Sequence, residues 1–179
     1  VGLGYVGLPL SLQFARSGAS VLGLDIDSTK TTSINASRSY IHHIESTAIK
    51  EQVDAKRFEA STDFSRVKEV DAVIICVPTP LNKNREPDIS YILSTGRSIA
   101  PHLRRGVLVV LESTTYPGTT DELVKPILES SGLTLGDGFL CGYSPERIDP
   151  GNATYGFVNT PKVVSGCDAA SLECVAAFY

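Results

Sequence analysis

The sequence predicts an α/β fold, a doubly wound parallel sheet, and three observations carry that prediction. The chain opens on Gly2-Leu3-Gly4-Tyr5-Val6-Gly7, a G-x-G-x-x-G run leading straight into the helix-like Leu8-Pro9-Leu10-Ser11-Leu12-Gln13-Phe14-Ala15. An apolar stretch, Val21-Leu22-Gly23-Leu24, ends in Asp25, 18 residues after Gly7. Strand-like and helix-like segments then alternate along the chain, the pattern of repeated βαβ units. In a glycine turn of this kind the first glycine makes the bend and the second lets backbone approach a pyrophosphate. The third lets helix and strand pack closely. Free N–H groups and the dipole at the helix N-terminus favour the phosphate charge, and an acid at this spacing meets the ribose hydroxyls. A Rossmann-type NAD(P)-binding domain is the expected architecture.

The first helix is predicted over residues 8–16, with Ser17-Gly18 as its stop signal. After the strand to Asp25, Asp27-Ser28 can cap a helix that begins near Thr29-Lys30. A polar, turn-rich stretch (residues 35–43) leads to a helical pattern over residues 46–56. Residues 57–61 read as a short strand, and Thr62-Asp63-Phe64 starts another short helix. Asp71-Ala72-Val73-Ile74-Ile75-Cys76-Val77 is an apolar run of the kind found in strands covered on both faces. Pro78 and Pro80 end it, because proline cannot donate to a ladder. A helix over 89–103, a strand over 107–111 and a helix over 119–130 follow, the last opened by a capping box, Thr119-Thr120-Asp121-Glu122. Residues 139–143 and 162–164 read as the last strands, and Ala176-Ala177-Phe178-Tyr179 as part of a helix.

A chain of 179 residues can bury a substantial core. The glycine turn normally follows a strand, yet only Val1 precedes it, and the sequence contains no Met. We therefore expect residues 1–179 to be the N-terminal NAD-binding domain of a longer protein, with its first strand missing. A net charge of −4 without any Lys/Arg run argues against a nucleic-acid partner. No apolar stretch approaches the roughly 20 residues of a membrane helix, so no membrane partner is expected. Cys76, Cys141, Cys167 and Cys174 lack C-x-x-C spacing, which fits a reducing, cytoplasmic setting. His42, His43 and His102 form no ligand pattern with Cys or Asp, and no metal is expected.

Ligands of doubly wound sheets bind beyond the carboxyl ends of the strands. That rule selects residues 2–7, 25–30, 77–81, 112–115 and 144–152. Asp25 can accept both ribose hydroxyls, and its charge would repel a 2′-phosphate, which favours NAD over NADP. Lys30 either reaches a ribose or phosphate oxygen or lies solvated on its helix. Ser113 and Thr114 stand too early to cap the helix at 119, which leaves their hydroxyls free for a ligand. Glu146 and Asp149 follow a strand end, where a carboxylate can position water or take a proton. A surface pair between Glu146 and Arg147 is the alternative for the first of them.

Taken with Leu8-Pro9 after the glycine turn, three further motifs carry a resemblance. They are Val77-Pro78-Thr79-Pro80-Leu81, Glu112-Ser113-Thr114-Thr115-Tyr116-Pro117-Gly118-Thr119-Thr120 and Ser144-Pro145-Glu146-Arg147-Ile148-Asp149-Pro150-Gly151-Asn152. The sequence resembles the UDP-glucose/GDP-mannose dehydrogenases, closest to the branch of UDP-N-acetyl-D-glucosamine 6-dehydrogenases. The resemblance implies NAD-dependent oxidation of the C6 alcohol of a UDP-N-acetylhexosamine to the uronate, two NAD per turnover, in polysaccharide biosynthesis. By position it implies that Gly2, Leu3, Gly4, Tyr5, Val6, Gly7, Asp25, Lys30, Val77, Pro78, Thr79, Pro80, Leu81 and Ser113 hold NAD. Thr114 and Glu146 would position the catalytic water, with Glu146 near the sugar. A second glutamate of the UDP-glucose enzymes falls at Pro150 here, and Asp149 is its neighbour rather than its match. The family's nucleophilic cysteine lies in a Gly-rich motif further along, with lysine and asparagine partners. None of the four cysteines here has such flanks, so the chain is expected to hold the cofactor half without the nucleophile. A UDP-sugar substrate and a homodimer formed through regions beyond this chain are further implications.

Two other readings stay open at this level. A two-electron β-hydroxyacid-type NAD(P) dehydrogenase shares such an opening domain, though the stretches at 112–120 and 144–152 argue against it. The chain could also be a nucleotide-sensing module that binds NAD without turnover.

Overall fold

The computed structural model describes residues 1–83, 85–146 and 159–179. They fall into two compact units, Val1–Asp63 with residues 159–160, and Phe64–Glu146 with Pro161–Tyr179.

The first unit runs α1 (Gly7–Arg16), β1 (Val21–Leu24), α2 (Ser28–Asn35), α3 (Ser46–Asp54) and β2 (Phe58–Ser61). Leu8, Leu12 and Ala15 recur at helical spacing and form one stripe of α1. That stripe is buried in a core with Leu3, Ile34, Ile49 and Phe58. α1 stops as predicted at Gly18, whose φ of 100° favours glycine. There the Gly18 amide donates to the Ala15 carbonyl and the Ala19 amide to that of Phe14, both at 3.1 Å. Asp27 caps α2 by accepting the Thr29 amide at 2.9 Å, while α3 stops at Asp54, short of the predicted residue 56. β1 and β2 pair in parallel, with Val21 opposite Phe58 and Leu24 opposite Ser61. A methyl group at Gly23 would lie 2.8 Å from Leu3 Cδ2 and 3.1 Å from Phe58 Cε2, so the glycine turn packs onto β1 only because that strand carries a glycine.

In the second unit a 3-10 turn (Phe64–Glu69) precedes β3 (Ala72–Ile75) and α4 (Ser90–Ile99). The helix predicted to 103 breaks at Ile99 into a 3-10 turn, Ala100–His102, which holds Pro101. Pro101 has no amide proton to continue the α-helical ladder, which accounts for the break. β4 (Val107–Glu112) is buried along its whole length, as a strand covered on both faces should be. A π-helical segment (Thr119–Val124) passes into α5 (Lys125–Glu129), and β5 (Phe139–Ser144), β6 (Ser165–Gly166) and α6 (Ala169–Phe178) follow. The strand order is β3-β4-β5-β6. The first three strands are parallel, and β6 is antiparallel to β5.

Two expectations need correction. The capping box is not formed: Gly118, at φ 92°, is the N-cap residue, and no side chain caps the segment. The Glu122 amide donates to the Gly118 carbonyl at 2.8 Å. The Thr119 hydroxyl turns back to the Tyr116 carbonyl at 2.9 Å instead of accepting an amide. The last strand is displaced from 162–164 to Ser165–Gly166. Glycines decide that register, because Gly142 faces Gly166 across β5 and β6. A methyl group at Gly166 would stand 2.1 Å from the Leu172 amide nitrogen, and one at Gly142 would stand 2.5 Å from Val175 Cγ2. α6 can therefore settle only where both side chains are absent. Among the described residues, no helix is long and apolar enough to cross a membrane.

Candidate functional site

In the first unit the glycine turn is fixed by residues distant in sequence. Gly2 adopts φ 88°, and its amide donates to the Leu24 carbonyl at 2.8 Å, tying the turn to the end of β1. Asp25 is the next residue after β1 and is only 6% exposed. Its Oδ2 accepts the Leu3 amide at 2.8 Å and the Lys30 ammonium at 3.0 Å. Its Oδ1 accepts the Asp27 amide at 2.9 Å. A carboxylate offers about four lone-pair sites, so one is left over after these three donors. Lys30 pairs with Asp25 and compensates its buried charge. The Tyr40 hydroxyl donates to the Leu3 carbonyl at 2.6 Å. Burial pushes the Tyr40 phenol well above its ordinary pKa, with the Asp25 and Asp27 charges adding to the effect. Tyr5, exposed on the turn, stacks on His43 at a centroid distance of 6.1 Å. Sequence reasoning missed Tyr40 and His43, whose only signal was aromatic rings beside a polar, turn-rich stretch.

The turn and the helix behind it fit an adenine dinucleotide. α1 starts at an N-cap, Val6, that no side chain caps, and its first turn carries no acid. A methyl group at Gly4 would meet nothing within 4 Å, so backbone is open to approach there. Unpaired N–H groups and the helix dipole at such a start suit a pyrophosphate. The acid needed for ribose stands beside them at Asp25, bonded directly into the turn.

In the second unit the ends of β3 and β4 are sewn together. The Ser113 hydroxyl donates to the Val77 carbonyl at 2.9 Å, and the Thr79 hydroxyl donates to the Thr114 carbonyl at 2.5 Å. This corrects one expectation, because Ser113 is buried and its hydroxyl proton is committed rather than free. Thr114 is exposed beside it. Pro78 and Pro80 flank Thr79 in the same loop.

Glu112 ends β4 and is 1% exposed. Its carboxylate pairs with the Lys162 ammonium through Oε1 and accepts the Tyr179 hydroxyl through Oε2. Lys162 Nζ lies 4.6 Å from the centroid of the Tyr179 ring. Burial raises the Tyr179 phenol strongly, and the Glu112 charge raises it further. Cys76, just past β3, is pushed up to about 12, chiefly by burial. Ser144 faces Glu112 in the β4–β5 register, which places Glu146 two residues beyond it at the same edge of the sheet. Arg147, Asp149, Pro150 and the rest of residues 147–152 lie outside the described residues. Lys162 and Tyr179 were not anticipated. The available signal was Glu112 itself, an acid at the next inward position of an apolar strand.

Comparison with known proteins gives a consistent result. The profile of the UDP-glucose/GDP-mannose dehydrogenase family, NAD binding domain, matches residues 1–179. The UDP-N-acetyl-D-glucosamine 6-dehydrogenase of Salmonella typhi is 37% identical over 180 residues, which cover 100% of this chain and 41% of that protein. The UDP-N-acetyl-D-mannosamine dehydrogenase of Escherichia coli K12 is 36% identical over 97% of this chain and 43% of its own. GDP-mannose dehydrogenase of Pseudomonas aeruginosa, solved as a ternary complex, superposes with a TM-score of 0.93 at 31% identity, over 99% of this chain and 42% of that one. The chain thus spans 41–43% of the length of these relatives. The fold is the Rossmann-type α/β architecture that the sequence predicts.

Proposed function

Since the chain belongs to the UDP-glucose/GDP-mannose dehydrogenase family, as its NAD-binding domain, we propose that the protein carrying it oxidises the C6 alcohol of a UDP-N-acetylhexosamine to the uronate. The observation that carries the cofactor half of this reading is the Asp25 carboxylate bonded to the Leu3 amide inside the glycine turn, beside an uncapped helix start. NAD, when bound, supplies the hydride acceptor. Gly2, Leu3, Gly4, Tyr5, Val6 and Gly7 line its phosphates in this reading, with Asp25 at the ribose and Lys30 as that acid's counter-ion. The segment from Val77 to Pro80 and Ser113 hold it at the far strand ends. Thr114 and Glu146 orient water and sugar.

Two features of the cysteines support a nucleophile outside residues 1–179. Burial raises the Cys76 thiol to about 12. Cys141 is raised by its bond to Cys167 and by burial. A thiol held protonated is a poor nucleophile. Among substrates we take the gluco epimer of the UDP-N-acetylhexosamines, and we place the enzyme in the cytoplasm as a homodimer assembled through other regions.

The test is to assay the full-length protein for NADH with NAD and, separately, UDP-N-acetylglucosamine, UDP-N-acetylmannosamine and UDP-glucose. Two NADH per UDP-N-acetylglucosamine, with weaker turnover of the others, is the expected result. Preference for the manno epimer would correct the substrate, and a single NADH from a hydroxyacid would favour the β-hydroxyacid reading. Tight NAD binding without turnover of any of them would favour a sensing module.

A further inference from the structure

Cys141 and Cys167 stand directly across from each other where β5 and β6 run antiparallel. Gly142 faces Gly166 and Tyr143 faces Ser165, so the next pair along the ladder is Cys141 with Cys167. The Cys167 amide donates to the Cys141 carbonyl at 2.9 Å. Side chains of directly opposed residues share one face of a sheet. A side chain at Gly142 would turn toward Val175 of α6, so alternation puts both cysteines on the opposite face. There the two thiols are hydrogen-bonded to each other, and neither is in a disulfide. Both ends of the pair are fixed. The Cys141 amide donates to the Ser171 hydroxyl at 3.1 Å. Asp168, next to Cys167, accepts the Ser171 amide at 2.7 Å as the cap of α6. Cys141 is buried, but Cys167 is half-buried and lines a cavity of about 270 Å³ with Thr115, Thr120, Asp121 and Tyr143. Cys174 packs instead against Leu108, Val110 and Val175, on the α6 side of the sheet.

We propose that Cys141 and Cys167 form a reversible modification site, a dithiol that a peroxide converts into a disulfide across the β5–β6 ladder. Opposed residues joined by ladder hydrogen bonds have Cα atoms about 5.5 Å apart, inside the usual disulfide range of about 4.4–6.8 Å. Closure therefore needs rotation of two side chains rather than movement of a strand. The Cys167 sulfur takes one peroxide oxygen as a sulfenic acid, and the other oxygen leaves as water. The Cys141 sulfur then attacks that of Cys167, and the second oxygen leaves as water with the Cys141 proton. The pair gives up two hydrogens and two electrons, and one peroxide becomes two waters. The bond to Cys167, burial and the charges of Asp121 and Asp168 hold Cys141 as the thiol. They do not penalise a disulfide, which is neutral. In a reducing compartment such a bond is transient and acts as a redox sensor. The inference is independent of the reaction proposed above, because no cysteine of residues 1–179 serves in it.

The experiment exposes the folded full-length protein to hydrogen peroxide, then alkylates the remaining thiols with N-ethylmaleimide under denaturing conditions. Tryptic peptides carrying Cys141 and Cys167 should be recovered joined, lighter by two hydrogens, and dithiothreitol should separate them. Fragment spectra distinguish Cys167 from Cys174 within their shared peptide. The Cys141–Cys167 bond should exceed every other pairing of these two cysteines by at least about tenfold, because the fold holds the thiols together. In Cys167→Ser, Cys141 should be recovered alkylated. Recovery of both cysteines alkylated from the oxidised unmutated protein overturns the proposal. So does Cys167 found as a sulfinic acid beside an alkylated Cys141, or a bond from either to Cys174 or to a cysteine further along the chain in equal yield. The joined peptide is read by mass in the unmutated protein, so the outcome depends neither on turnover of a UDP-sugar nor on the folding of a variant.

Discussion

The Asp25 carboxylate accepts the main-chain amide of Leu3 at 2.8 Å, across 22 residues of sequence. The acid that meets the ribose in the proposed reading is therefore also a strut of the glycine turn. Tyr40 holds the other side of the same residue through the Leu3 carbonyl. The proposed reading therefore couples cofactor affinity to the shape of the turn at this one residue.

Replacing Asp25 by Asn or Ala should weaken NAD binding by about 1–3 kcal/mol, the scale of a lost charge-assisted bond. It should also lower the melting temperature, since Leu3, Asp27 and Lys30 all lose a charged acceptor. Calorimetric titration of the full-length protein with NAD and NADP checks this. Equal affinity of the unmutated protein for the two cofactors would remove Asp25 as the selecting group.

Gly4→Ala and Gly23→Ala should separate binding from folding. The added methyl at position 4 meets open space, so stability should hold while NAD affinity falls as the backbone approach closes. At position 23 it meets Leu3 and Phe58, and overpacking of this kind costs about 1–3 kcal/mol. Urea unfolding and NAD titration of both variants make the comparison. A Gly4→Ala protein that binds NAD normally would take the pyrophosphate away from this turn.

Glu146→Gln in the full-length protein should lower turnover on the order of 10²-fold or more, the scale of a positioned acid–base group. NAD affinity should stay nearly unchanged, because the group serves water and sugar. Near-normal steady-state rates would return Glu146 to a surface pair with Arg147.

Stability should decline on the alkaline side. The Cys76 thiol has its pKa raised from 9.0 to about 12 by burial, so the folded state holds that proton more tightly than the unfolded chain. The resulting stabilisation is complete below pH 9 and is lost as pH rises through 12. Melting temperatures measured from pH 8 to 11 should fall, and Cys76→Ala should flatten part of the fall. An identical alkaline slope in the variant would show that other groups, such as Tyr179, account for all of it.

Residues 1–179 alone should produce no NADH from UDP-N-acetylglucosamine and NAD. With the nucleophilic cysteine expected outside these residues, the second oxidation has no covalent route in this chain. Absorbance at the NADH band decides this, and sustained turnover would place the nucleophile among the four cysteines of this chain.

Local pattern alone placed α1, its glycine stop, β1, the Asp27 cap, β4 and β5, because each depends on side-chain period or on a turn residue within a few positions. The glycine turn with Asp25 18 residues on was legible for the same reason. Where local signals competed, the sequence misled. Residues 162–164, with Val163 and Val164, read as a strand, and Thr119 with Glu122 read as a capping box. The actual outcomes turn on Gly142 and Gly166 beneath α6 and on the left-handed Gly118.

The identity of the site's chemistry, a dinucleotide turn with hydroxyls and carboxylates at the strand ends, was determined by the sequence itself. Only the tertiary structure decided how those groups are held. Tyr40 reaches Leu3 across 37 residues, Lys162 reaches Glu112 across 50, and Tyr179 reaches it across 67. Periodicity and capping act over a few residues, so they fix what each segment is and which face it buries. Which buried polar groups then become partners depends on the order in which strands lie side by side and on where the covering helix ends. The ion pair on Glu112 is a consequence of the sheet order β3-β4-β5-β6 with α6 laid across it.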